Sequence, residues 1–175
     1  MQLHQIKLDF NPEHDRLLMC IATSDGQEVL LWLTRRCVKL LWPLLVKMVQ
    51  ASPTIQMHGT SAEARAALLE LEHEKAVQQA DFSKPYAEQA LDRPLGADPI
   101  LVARVHAGRD EDGKHLLSLL PAQGAGINLS LEDGMLHSCC KLLQNAVAKA
   151  EWDIKLEFPE APLIPVDAGH SRSLN

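Results

Sequence analysis

The sequence contains few aromatic residues, few cysteines and no long apolar run. Three Trp, three Phe and one Tyr among 175 residues are too few for an extended base-stacking platform. Four cysteines, two of them adjacent at positions 139 and 140, do not make a disulfide scaffold. No stretch reaches the roughly 18 apolar residues of a membrane span, and residues 1–10 lack the features of a secretory signal. We therefore expect a cytoplasmic protein of bacterial type, with reduced thiols and no contact with a membrane.

The chain also lacks a surplus of positive charge. Its formal net charge is −6 and its pI is about 5.7, which disfavours non-specific binding to a polyanion. The hydrophobic content of 46% and the mean hydropathy of −0.09 are typical of a globular domain with a substantial core. Residues 51–99 hold eight acidic and four basic residues, so much of the negative charge lies between the two halves described next.

The strongest pattern in the sequence is an internal repeat. A shift of 98 residues aligns residues 16–50 with residues 114–148 without a gap, and seven of the 35 pairs are identical. In both segments, a turn containing Gly26 or Gly124 precedes apolar residues at alternate positions, which is typical of a strand. The apolar spacing then changes to that of a helix at the same place in both segments. A further strand is predicted upstream of each segment, at residues 3–10 and 100–107.

These elements predict an α+β fold of two tandem βββα repeats. Together the repeats would form an antiparallel sheet or half-barrel with two packed helices, plus an inserted helix between the repeats. The spacing of Thr60 and Glu63 is that of a capping box, and it predicts the inserted helix over residues 62–80. Alternating apolar and charged residues predict a last strand. The expected organisation is a single domain over 1–158, comprising repeat 1 (1–52), the insert helix and Pro-containing linker (53–99), repeat 2 (100–151) and the final strand (152–158), followed by a C-terminal tail (159–175).

The two repeats differ in how apolar they are. Positions 30 and 32 of the first repeat are apolar, where the second repeat has Asn128 and Ser130. The first helix is apolar nearly all round, and such a helix is normally buried on every side. The surplus surface is covered either by the insert helix or tail, or by a second subunit in a homodimer. The interface candidates are Leu30, Trp32, Leu40 and Trp42.

Basic residues cluster at the start of the first helix. Two arginines directly follow the predicted N-cap Thr34, where free backbone N–H groups favour an anion. Alternatively these arginines pair with nearby carboxylates such as Asp25 or Glu28, or lie in solvent. The candidates for binding an anion or a nucleic acid are Arg35, Arg36, Lys39 and Lys47.

The order of elements resembles that of PUR-repeat and Whirly-type single-strand-binding proteins. The resemblance implies binding of single-stranded nucleic acid, although the acidic charge and the absence of a basic and aromatic strand face oppose it.

Recognisable catalytic motifs are missing from the sequence. It has no nucleophile elbow, phosphate-binding loop or dinucleotide fingerprint, and its histidines are scattered. Adjacent cysteines on a helix point about 100° apart and do not converge on one metal ion. We therefore expect no metal, no cofactor and no enzymatic activity. The leading hypothesis is a non-enzymatic interaction or regulatory module that forms a homodimer or binds a protein partner. A single-stranded nucleic-acid-binding protein and a small-molecule enzyme with a dispersed site are the alternatives.

Overall fold

The computed structural model describes residues 3–80, 86 and 92–160, and within them the protein has an α+β fold. No helix among these residues is long and apolar enough to cross a bilayer. In chain order the elements are β1 (Leu3–Asn11), β2 (Arg16–Thr23), β3 (Glu28–Leu33), α1 (Arg35–Gln50), α2 (Pro53–His58), α3 (Ala62–Gln79), β4 (Ile100–Leu101), β5 (Arg104–Arg109), β6 (His115–Leu120), β7 (Ile127–Leu131) and α4 (Asp133–Lys149).

Local sequence explains the hairpin and the helix that begin the fold. Every second residue of β3 is buried at Val29, Leu31 and Leu33, as the alternation predicts. The turn from β2 to β3 needs a positive φ, which Gly26 supplies at 78°. Helix α1 begins after Thr34, whose side chain accepts a hydrogen bond from the backbone N–H of Cys37.

The strands form two sheets, whereas the sequence predicted one antiparallel sheet or half-barrel. One sheet has the order β1-β2-β3-β4 and the other has the order β5-β6-β7. All pairs are antiparallel except β3 with β4, which is parallel. The cause is a change of partner along one segment: Val102 N–H donates to the Trp32 carbonyl at 3.0 Å, and Ala103 N–H donates to the Leu120 carbonyl at 2.9 Å. Residues 100–109 therefore link both sheets.

The main helices pack across the two halves of the chain. Helix α1, which follows the first sheet's strands, contacts β5, and α4, which follows the second sheet, contacts β1. The two helices also contact each other, and α3 packs on α4. A continuous core joins the inward faces of both sheets and both helices, with Leu31, Leu45, Leu117 and Leu143 all fully buried.

The insert contains two helices. Helix α3 lies where the insert helix was predicted, but its N-cap is Ser61 rather than Thr60, because the Ser61 hydroxyl accepts the Ala64 N–H at 3.1 Å. The short helix α2 was not predicted. Of the predicted linker, residues 81–85 and 87–91 lie outside the described residues.

The predicted final strand at 152–158 is not present. This segment is extended and buries Trp152 and Leu156, but it pairs with none of the described strands. Two of its carbonyls accept from side chains instead: Trp42 Nε1–H donates to the Glu157 carbonyl at 3.2 Å, and Gln144 Nε2–H donates to the Leu156 carbonyl at 2.8 Å. The segment therefore lies on α1 and α4 rather than on a sheet edge. The predicted tail beyond residue 160 lies outside the described residues.

Candidate interaction surface

The four apolar interface candidates do not form one surface. Leu30 and Trp32 lie half-buried on the outer face of the first sheet, opposite the inward residues of β3. Leu40 lies on α1, whose opposite face packs on the hydrophobic core, and its side chain is 50% exposed. Trp42 is only 7% exposed. Two separate surfaces therefore remain, one on the sheet and one on α1.

Trp42 is covered by the segment that follows α4. Its indole N–H is satisfied by the Glu157 carbonyl, and its ring centroid lies 5.3 Å from that of Phe158. Of the two explanations that the sequence left open, covering by another part of the same chain accounts for Trp42. Trp42 is therefore omitted from the interface candidates.

The connection between the halves covers part of the outer sheet face. Glu28 is 7% exposed on this face, and its carboxylate accepts from Tyr86 Oη–H and from Arg93 Nε–H, both at 2.8 Å. Arg93 was not predicted to pair with Glu28, which had been a candidate partner for Arg35 or Arg36. Leu101 lies beside Trp32 in the register and is 43% exposed.

The four basic candidates also fall into two groups, one paired and the other unpaired. Arg35 forms an ion pair with Asp15, at 2.9 Å between Nη2 and Oδ2, and its guanidinium lies 5.4 Å from the centroid of the Trp152 ring. Arg36, Lys39 and Lys47 are exposed and make no ion pair or hydrogen bond with any described residue. Arg35 thus contacts the first hairpin turn and the chain after α4, while Arg36, Lys39 and Lys47 are free to contact a partner.

The open cations share one side of α1 with Leu40. Residues at spacings of three, four and seven lie on one helix face, and five exposed residues of α1 have these spacings. Helix α1 contains four basic and no acidic residues, so nothing on the helix itself neutralises this face. We call the five residues the α1 stripe: Arg36, Lys39, Leu40, Pro43 and Lys47.

The cysteines are placed as core residues rather than as nucleophiles. Burial raises the pKa of Cys37 to about 11 and that of Cys139 to about 12, and it also raises the pKa of Cys140. For the partly buried Cys20, burial again dominates and the pKa is about 11. A thiol with so high a pKa is protonated at neutral pH and reacts slowly.

A pair of histidines joins α3 to α4. The Nδ1 atoms of His73 and His137 lie 3.2 Å apart, so one Nδ1 donates and the other accepts. The His73 ring also packs edge-on against Phe158, with centroids 4.8 Å apart. Burial lowers the pKa of both groups, and the neighbouring His137 helps to lower that of His73 to about 4. These histidines therefore hold the insert helix on the core in their neutral forms.

We expect acid to destabilise the fold through this pair. In the unfolded chain His73 regains its ordinary pKa of about 6.5, so below that pH the unfolded state binds a proton that the folded state does not. The stability is therefore fully present above pH 6.5 and falls progressively as the pH drops toward 4. For this half-buried side chain we expect a loss of about 1 kcal/mol between pH 7.5 and 5.5, measured by urea unfolding. His73→Asn should reduce this loss, and His106→Asn, at an exposed position on β5, should not; equal slopes for both variants would contradict the assignment.

The acidic turn between β5 and β6 stabilises its own backbone. The Asp110 carboxylate accepts from the N–H groups of Asp112 and Lys114 and from the Ser130 hydroxyl, which lowers its pKa. The turn borders an open cleft of about 360 Å³ that Glu132 and Met135 also line. Among residues 3–80, 86 and 92–160, no group of three or more His, Cys, Asp or Glu is arranged to hold a metal ion.

Comparison with protein-family models, curated proteins and solved structures finds no match for this chain. Its function is therefore inferred from its own surfaces, and the α1 stripe is the most distinctive of them.

Proposed function

We propose that the protein is a non-enzymatic interaction module that assembles through the first half of the chain, with the α1 stripe as its contact surface. One observation carries the proposal: Leu40 lies half-exposed among three cations that no described residue neutralises. An apolar side chain surrounded by unpaired charges of one sign is typical of a docking surface for an acidic, partly apolar partner.

A comparison of the two halves supports this surface. We propose that the halves are duplicated units, because β2 and β3 pair in the same register as β6 and β7 after the 98-residue shift: Leu18 faces Trp32, and Leu116 faces Ser130. Helices α1 and α4 also coincide under this shift to within about one residue. The β1–β2 and β5–β6 registers differ by one residue, which the lengths of their turns explain.

Under this alignment the centre of the α1 stripe corresponds to two buried positions of α4. Lys39 and Leu40 align with His137 and Ser138, which are 4% and 9% exposed beneath α3. The same face of α1 carries no helix from the described part of the chain. The two central positions are thus buried on α4 and exposed on α1, whereas the outer positions Gly134 and Asn145 of α4 are exposed, as Arg36 and Lys47 of α1 are.

The chemistry of the described residues also supports a non-enzymatic role. Its thiols are protonated, and the buried His137 contacts His73 on α3. The buried His115 lies 3.2 Å from the Asp133 carboxylate, between Nε2 and Oδ1. The binding of single-stranded nucleic acid is the second candidate, and the open cations of the α1 stripe favour it. Three phosphate contacts would give a logarithmic salt slope of about −2 for a single strand, so a salt titration with an oligonucleotide tests this candidate directly.

We expect a photo-crosslinking amino acid at position 39 of the full chain to capture a partner in the cells that produce it. The same group at position 106, on the exposed part of β5, is the control and should capture little. Adding Leu40→Asp should reduce the adduct about tenfold, because it places a carboxylate where the partner's apolar side chain would be buried. Leu101→Asp, on the outer sheet face, should leave the adduct unchanged. Equal yields at positions 39 and 106, or no effect of Leu40→Asp, would contradict the proposed function.

A further inference from the structure

A second exposed stripe lies on the insert helix α3. Five residues with the same spacings as those of the α1 stripe are exposed, and Leu71 at the centre of the stripe is 58% exposed. We call them the α3 stripe: Ala67, Glu70, Leu71, Glu74 and Gln78. Its central leucine occupies the same place in the pattern as Leu40, with carboxylates nearby in place of cations.

The two stripes are complementary in charge. Helix α1 has four basic and no acidic residues, whereas α3 has four acidic and two basic residues. One of the basic residues, Lys75, borders the α3 stripe on the Leu71 side. Gln78 Nε2–H donates to Glu74 at 3.2 Å within the helix, and Glu70 makes no ion pair with any described residue. An apolar centre with opposite surrounding charges meets the requirements of a helix-to-helix contact.

Within one chain these stripes do not cover each other. Helices α1 and α3 contact each other at a few residues, yet Leu40 is 50% exposed and Leu71 is 58% exposed. Two neighbouring helices of opposite charge suit a two-fold axis running between them, since that axis places α1 opposite α3 of the second copy and α3 opposite its α1. The contact then forms twice, which doubles the buried area.

We infer that a second copy of this chain is the partner, with the α1 stripe of each copy docked on the α3 stripe of the other. The inference rests on the proposed function and names its partner. It would also cover Leu40 of α1 with a helix α3, much as α3 contacts His137 of α4 within each copy.

Charge reversal tests this pairing without disturbing the core, because all the residues changed are exposed. The full chain is examined at about 50 µM by native mass spectrometry and sedimentation, where the wild type should be a dimer of twice 19.4 kDa. Lys39→Glu with Lys47→Glu, and separately Glu70→Lys with Glu74→Lys, should each weaken the dimer at least about tenfold. Each variant then has both stripes of one sign.

The decisive measurement is a mixture of the two variants. In the mixed dimer every acidic stripe faces a basic one, so a one-to-one mixture should dimerise about as tightly as the wild type, whereas each variant alone dimerises more weakly. A monomeric wild type, dimers unaffected by charge reversal, or a mixture that stays monomeric would each overturn the inference. An adduct at position 39 with a different protein would also overturn it while leaving the interaction function intact, whereas the absence of any adduct would overturn both.

Discussion

Replacing Trp152 with alanine should lower the free energy of unfolding by about 3–5 kcal/mol, the largest effect we expect from a single change. Trp152 is 5% exposed, and its ring packs edge-on against Phe10 with the centroids 6.1 Å apart. Its indole N–H donates to Asp15 Oδ1 at 2.7 Å, and the Arg35 guanidinium lies against the ring. Truncation would remove the packing that joins the end of α4 to the first hairpin and would leave a cavity.

Urea unfolding followed by circular dichroism at pH 7.5 measures this loss. For a chain of this size, the change corresponds to a decrease in Tm of about 10 °C. Trp152→Phe is the matched control, since it keeps most of the ring packing and removes only the hydrogen bond to Asp15; it should cost less than half as much. A loss below about 1 kcal/mol for the alanine variant would show that the chain after α4 contributes little to the fold.

Replacing Gly126 with alanine should cost about 2–4 kcal/mol. A Cβ at this position would overlap the carbonyl oxygen of Leu119 and lie 2.8 Å from the Cα of Leu120, and both are backbone atoms of the paired strand. The φ of Gly126 is not positive, so this position requires glycine for the close approach of two backbones rather than for its conformation. Relief would need the β6–β7 hairpin to open.

Alanine variants of two other glycines distinguish the cost of crowding from the cost of backbone strain. Gly124, in the same turn, has a φ of 89° and open space around it, so Gly124→Ala should cost about 1 kcal/mol from strain alone. Gly108 on β5 has open space and an ordinary backbone, so Gly108→Ala should change the stability by less than about 0.5 kcal/mol. Thermal unfolding of the three variants ranks them, and equal losses for Gly126 and Gly108 would refute the crowding.

Local sequence predicted the secondary structure of both halves well, because each signal acts over a few residues. Alternating apolar residues predicted β3 and β7, and helical spacing predicted α1 and α4. The 98-residue alignment places Cys139 opposite Leu41, and both side chains are buried. The excess of basic over acidic residues on α1 could also be read from composition alone, since the helix has no acidic residue.

The parts of the surface that matter most could not be read in this way. Nothing in the local sequence distinguishes Trp42, which Phe158 covers, from Leu40, which is exposed, because both are apolar residues on a nearly all-apolar helix. Arg35 and Arg36 are adjacent cations, yet only Arg35 finds Asp15 and Trp152. The sequence does not distinguish the α3 stripe from an ordinary solvated Glu-rich helix face, because its significance depends on the basic stripe of a neighbouring helix.

By itself, then, the sequence determined the positions of the core strands and helices, since backbone propensity and apolar period are local properties. Tertiary structure alone decided which partners those elements found. The alternation at 152–158 specifies one buried face but no backbone partner, and two of its carbonyls accept from side chains of α1 and α4 instead of from a strand. Helix α1 packs on β5 and α4 packs on β1, and the strands form two sheets, through contacts between residues far apart in the chain. There the burial of the whole core outweighs local preference.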